Sequence, residues 1–233
     1  LGFEIVDENQ KLKVLIPSWR HDISEEVDIV EEQLRINGYD QLEEILLNNN
    51  YSLKNKILSF NEYRNRIISA TLAKRGLYES VTFSFLSMKD FEMYSENIAP
   101  VILDNPISED LSVMRPSLIP NLVNNFIKNK NKGLKNFGLY EVGAVYLSDQ
   151  DKGQVLCSAG IRSGVASERH WAITQRESDI YDVKKDLYNA LETVGININS
   201  LSIIENAPKW YHPGRSATIK LGKNVLGYFG ELH

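Results

Sequence analysis

Residues 59–87 read SFNEYRNRIISATLAKRGLYESVTFSFLS, a helix signal that runs straight into a strand signal. Ser59 followed by Glu62 has the spacing of a capping box, in which the hydroxyl accepts from one orphan N–H and the carboxylate from another. Leu58 and Tyr63 could pin the first turn, and Gly76 is placed to end the helix in a left-handed residue. In ESVTFSFLS, Val81, Phe83 and Phe85 alternate with Ser80, Thr82 and Ser84, the period of a strand with one buried face. A helix packed beside a one-faced strand points to α+β architecture.

The flanking sequence extends this reading. Further strands are expected at 100–103, 136–147, 156–162, 217–221 and 225–231, with helices at 118–130 and 183–194. Strands outnumber helices and several follow one another through short turns, which favours an antiparallel sheet flanked by helices over repeated βαβ units. Upstream, 3–6 and 12–16 read as a hairpin that Pro17 ends, followed by a helix with Ile23, Val27, Val30 and Leu34 on its core face and Gly38 as its stop. Polar residues around Asn48 to Asn50 read as a linker, so two domains are expected, 1–47 and 48–233.

At 233 residues, 42% hydrophobic and 24% charged, the chain is long enough to bury a sizeable core. A net charge of −5 provides no overall basic field, so nucleic acid contact would need a local patch or a partner. The single cysteine, Cys157, excludes an intramolecular disulfide and a multi-cysteine zinc site, as expected of a reducing, cytoplasmic protein. No apolar run approaches the roughly 18 residues of a membrane span, and no basic leader precedes an apolar one. The chain starts and stops inside strand patterns, which suggests a piece of a longer protein. Neither GxxxxGK[ST] nor GxGxxG occurs.

Three stretches carry possible chemistry. PSWRHDISEEVDIVEEQLRINGYD (17–40) gathers Asp22, Asp28, Glu31 and Glu32 at one helix. Crowded hard oxygen ligands suit Mg²⁺, yet Asp22 or Ser24 could simply cap the helix and Arg35 could pair with Glu31 and Glu32. KWYHPGRSATIKLG places His212 and Arg215 beside Trp210 and Tyr211, a set that could hold an anion or a planar ligand or merely form a turn. Arg115 precedes Ser117, the expected N-cap of the 118–130 helix, where an anion could bind. His170 and Cys157 have no catalytic partner in sequence and read as structural.

VLIPSWRHDISEEVDIVEEQLRINGYD closely resembles a stretch of the β subunit of bacterial phenylalanyl-tRNA synthetases, and four further segments agree in order: NEYRNRIISATLAKRGLYESVTFSF, NPISEDLSVMRPSLIPNLV, LYEVGAVY and YHPGRSATIKLGKNVLGYFGELH. The resemblance implies a fold: residues 1–47 as the C-terminal half of a winged-helix-like domain, and residues 48–233 as a class II aminoacyl-tRNA synthetase-like antiparallel sheet flanked by helices. It also implies Mg²⁺ held by Asp22, Asp28, Glu31 and Glu32 in a site shared with an α subunit, in a heterotetramer of two α and two β chains that charges tRNA(Phe).

Catalysis is not expected of the module. Class II chemistry uses an aromatic-Arg-x-Glu motif and a later Gly-rich strand ending in Arg, because charge develops on phosphates in the transition state. Trp19-Arg20-His21-Asp22 looks like the first motif but lies in the small domain. LYEVGAVY keeps the acid Glu141 with no arginine hairpin before it. By the same resemblance, the helix and strand of 59–86 look like the class II dimerisation motif turned toward the α subunit, without its usual proline and with an exposed apolar surface as its expected trace. The alternative is a free-standing ligand-binding or regulatory module with Arg115, His212 and Arg215 lining its cavity.

Overall fold

Short β-rich runs at Glu4–Glu8 (β1) and Lys11–Leu15 (β2) pair antiparallel, with Glu4 opposite Leu15 and Glu8 opposite Lys11. In the computed structural model the described residues are 1–8, 11–45, 57–150, 152–167 and 169–233. They fall into two compact units, Leu1–Asn55 and Lys56–His233. The expected linker and its boundary at residue 48 lie outside the described residues.

The helix of the first unit, α1, spans Glu26–Asn37 and is capped at Glu25, not at Asp22 or Ser24. Asp28 accepts from the Ser24 and Glu25 N–H groups, both at 2.8 Å, which satisfies donors that a helix start leaves orphaned. Gly38 ends the helix with φ 98° and donates its N–H to the Leu34 carbonyl at 2.8 Å. The expected inner face is only partly right. Ile23 is buried and Leu34 half-buried, but Val27 and Val30 are exposed, because Ile29 and Glu32 take the inward positions. An acid can occupy such a position only if its charge is met there.

The second unit begins with α2, Phe60–Lys74, whose capping box is the expected one: Ser59 Oγ accepts from the Glu62 N–H and Glu62 accepts from the Ser59 N–H. After Gly76, with φ 81°, come β3 (Tyr78–Glu79), β4 (Phe85–Leu86), α3 (Met88–Tyr94), β5 (Val113–Met114) and α4 (Ile119–Asn131). Then follow β6 (Phe137–Tyr146), β7 (Gln154–Ser163), α5 (Ile180–Thr193), β8 (Ser202–Ile204), β9 (Tyr211–Leu221) and β10 (Asn224–Leu232).

The strands form a β3-β6-β7 sheet, a β10-β9-β8 sheet and a short β4-β5 pair. β6 and β7 run antiparallel through ten residue pairs, from Phe137 opposite Ser163 to Tyr146 opposite Gln154. The purely antiparallel expectation needs one correction: β3 joins β6 in parallel, Tyr78 opposite Leu139. The long connection from β3 to β6 permits that crossover. Residues 100–103, expected as a strand, contribute only an isolated bridge from Ile102 to Val113. One core gathers Leu118, Leu122 and Phe126 of the α4 region under Leu139 and Val145 of β6, with Phe126 stacked on Phe137 at 4.6 Å between ring centres. A second packs Ala217, Ile219 and Phe229 of β9 and β10 against Val183 and Leu187 of α5.

The largest departure is in 79–87. Its alternation predicted a strand with Val81, Phe83 and Phe85 buried. β3 instead ends at Glu79, and Val81 and Phe83 are 88% and 70% exposed, while Thr82 turns inward. The cause lies in the site beneath it.

Candidate functional site

Arg115 enters the interior from the turn after β5, and Glu141 points up to it from the middle of β6; each is 3% exposed. Arg115 Nη1 donates to Glu141 Oε1 at 2.8 Å and to Thr82 Oγ1 at 2.8 Å, and its Nε donates to the Ala144 carbonyl at 2.8 Å. Thr82 Oγ1 donates to Glu141 Oε2 at 2.7 Å. A buried pair of opposite charges is tolerable only when further hydrogen bonds satisfy the remaining donors and lone pairs. Thr82 supplies one of them. Gly143 makes the room: a Cβ there would sit 2.6 Å from Arg115 Nη2.

The same cluster strings residues 80–84 along its roof. The Ser80 N–H donates to the Tyr140 carbonyl at 2.7 Å, Asn121 Nδ2 donates to the Phe83 carbonyl at 2.8 Å, and the Arg115 N–H donates to the Ser84 carbonyl at 2.9 Å. Backbone bonds to β6 and to Arg115 hold the two ends of the segment, the Asn121 side chain holds Phe83 between them, and the polar member of the alternation faces in. A groove of about 690 Å³ runs between this segment and α4, lined among others by Val81, Phe83, Leu86, Asn121 and Ile127.

In the first unit, Arg20 Nε and Nη2 grip Asp22 at 2.9 and 2.7 Å, while its Nη1 donates to Glu32 Oε2 at 3.1 Å. Arg35 donates to both Glu32 oxygens, at 3.2 and 2.9 Å. Hydrogen bonds from Arg35 and then Arg20 hold Glu32 down to about 2, and the bond from Arg20 holds Asp22 down to about 2. Asp28 is lowered as well, by the Ser24 and Glu25 N–H groups. Glu31 is exposed.

A divalent ion needs several carboxylate lone pairs turned toward one point. Those of Asp22 and Glu32 are turned toward guanidinium groups, and among the described residues no three His, Cys, Asp or Glu side chains gather as a metal centre. As arranged, Asp22, Asp28, Glu31 and Glu32 do not fit a metal ion.

The other expected residues each have partners of their own. Arg215 pairs with Glu231, its Nη2 at 3.0 Å from Oε1. His212 Nδ1 accepts from the Gly214 N–H at 3.1 Å. With Arg115 spent on Glu141, no free guanidinium faces a ligand at either arginine. The N-cap of α4 is Leu118 and not Ser117 as expected; Ser117 Oγ accepts from the Ile119 N–H at 3.2 Å from one residue further out. Burial raises the Cys157 thiol, which weakens it as a nucleophile.

Reading along the sequence missed Thr82, Asn121 and a second buried carboxylate. Asp186 of α5 accepts from Arg75 Nε at 2.7 Å and from Arg162, and Arg162 also donates to the Arg75 carbonyl at 2.6 Å, tying α2, β7 and α5 together. The missed signal was the lone acid inside apolar GLYEVGAV, which demands a buried cation elsewhere in the chain.

The family model described as the phenylalanyl tRNA synthetase beta chain CLM domain matches residues 50–233, and that of the tRNA synthetase B5 domain matches residues 1–39. The chain belongs to the phenylalanyl-tRNA synthetase beta-chain family. Among curated members, the phenylalanine–tRNA ligase beta subunit of Paramagnetospirillum magneticum is 42% identical over the whole chain, and that of Bartonella henselae 40%. The chain spans 29% and 30% of the length of those two relatives. Among solved structures, a pyrrolysyl-tRNA synthetase from Desulfitobacterium hafniense aligns over 86% of this chain and 64% of its own, with a TM-score of 0.56 at 15% identity. That likeness is one of fold. It agrees with the class II synthetase-like α+β architecture expected of this beta-chain segment.

Proposed function

We propose that this chain is a non-catalytic assembly segment of the phenylalanine–tRNA ligase β subunit, which supports an α subunit that attaches phenylalanine to tRNA(Phe) at the expense of ATP. The observation that carries the proposal is the state of the buried Arg115–Glu141 pair within a beta-chain family member. The module's inward arginine is consumed by its own carboxylate, and the segment above it turns Val81 and Phe83 outward. A site that grips phosphates needs free cations; a docking surface needs apolar side chains in view. The chain supports the second.

In this reading two α and two β chains form the cytoplasmic enzyme. Residues 59–86 face the α subunit, and the hairpin and α1 of the first unit are part of a winged-helix-like domain. Mg²⁺ at Asp22, Asp28, Glu31 and Glu32 belongs to the assembled enzyme alone, because Arg20 must first release Asp22, and both Arg20 and Arg35 must release Glu32. Adding Mg²⁺ to this chain by itself is expected to leave its melting temperature unchanged; a rise at millimolar Mg²⁺ would show that the ion competes with Arg20.

The test of function uses the complete β chain with residues 57–233 deleted, mixed with α subunit. Loss of both co-purification and aminoacylation is expected, and normal assembly and charging would refute the proposal. Calorimetry of this chain with phenylalanine, ATP and a phenylalanyl-adenylate analogue is expected to register no binding. Tight binding would favour the free-standing ligand-binding module.

A further inference from the structure

The exposed pair Val81 and Phe83 is not held by a sheet. Residues 80–84 make no strand pairing, yet nearly every residue is tethered from below: Ser80 to β6 and to Asn125 Nδ2 at 2.9 Å, Thr82 to Glu141, Phe83 to Asn121, and Ser84 to the Arg115 N–H. Three of the tethers, at Ser80, Thr82 and Phe83, are side-chain bonds that local sequence would not supply. Thr82 Oγ1 both accepts from Arg115 and donates to Glu141, so it is locked between opposite charges. Asn121 is anchored to the Phe83 carbonyl by Nδ2, while its Oδ1 is buried with no partner among the described residues.

We infer that Thr82 and Asn121, set on the buried Arg115–Glu141 pair, are positioning residues for subunit docking. They hold residues 81–83 in one conformation, so that Val81 and Phe83 meet the α subunit already ordered. The inference rests on the docking reading above and adds how the surface is preorganised. Binding a floppy segment costs its ordering entropy at the moment of association; a tethered one has lost that entropy on folding. Phe83 shows the principle directly, since its backbone carbonyl is bonded while its ring stands in solvent.

The test measures affinity of the complete β chain for purified α subunit, with amide exchange across residues 81–84 of β alone. Thr82→Val keeps the shape and removes both hydroxyl bonds. It is expected to weaken α binding about tenfold and to speed exchange at 81–84 while that of β6 and α4 stays slow. Thr82→Ser, which keeps the hydroxyl, is expected to restore both. Asn121→Ala leaves the ion pair intact and is expected to act in the same direction, so a poorly folded Thr82→Val does not end the test. If Val81→Asp with Phe83→Ser abolishes binding while Thr82→Val and Asn121→Ala bind as wild type, positioning is refuted and docking stands. If Val81→Asp with Phe83→Ser binds as wild type, the docking reading falls and positioning falls with it.

Discussion

Glu32 and Glu141 are acids that point inward from a helix and a strand, and in each case arginine decides what the carboxylate can do. Glu32 has its ordinary value of 4.5 lowered to about 2 by Arg35 and Arg20. The folded state therefore binds its proton more weakly than the unfolded state, so the contribution of this group is complete above about pH 4.5 and fades as the pH falls toward 2. Arg20→Gln removes one donor from Glu32 and both from Asp22. Fluorescence-monitored unfolding is expected to show a lower stability at pH 7 and a shallower decline between pH 4.5 and 2 than wild type. At Glu141 the consequence is larger because the pair is buried. Arg115→Met strands a carboxylate in the interior and is expected to cost about 3–5 kcal/mol in urea titration, much of it recovered by adding Glu141→Leu. What could be read at this scale was the list of charged residues in awkward places. Their partners could not be read: Arg115 and Glu141 are 26 positions apart, and only the fold brings them to 2.8 Å.

The start of α2 was legible, because a capping box is decided by four consecutive residues. Ser59 and Glu62 make both expected bonds, and Ser59→Ala is expected to lower stability by about 1 kcal/mol in thermal unfolding. The strands β6, β7, β9 and β10 were likewise expected, at 136–147, 156–162, 217–221 and 225–231. The 79–87 segment defeated the rule of alternation. Alternation identifies two faces but not which one is buried, and here the polar face won because Thr82 completes a buried ion pair. Gly143 is the hidden partner of that choice. Gly143→Ala would place a methyl group 2.6 Å from the Arg115 guanidinium. It is expected to destabilise by about 1–3 kcal/mol and to loosen residues 80–84 in amide exchange.

At the scale of the molecule, each unit keeps apolar side chains in view that a self-sufficient domain would cover. In the first unit Val27 and Val30 of α1 are exposed, the face that periodicity assigned to a core. In the second, Phe60, Tyr78, Val81 and Phe83 are exposed around the start of the sheet. Hydrophobic periodicity reports that a face is meant to be buried and says nothing of whether its cover comes from the same chain, which is why Val27, Val30, Val81 and Phe83 read as inward in the sequence. The most direct test is sedimentation of α subunit mixed with the complete β chain carrying Val81→Asp and Phe83→Ser. If this segment works by docking, the mixture runs as separate subunits and aminoacylation is lost while the β chain keeps its melting temperature. A wild-type heterotetramer with full charging activity would contradict the account.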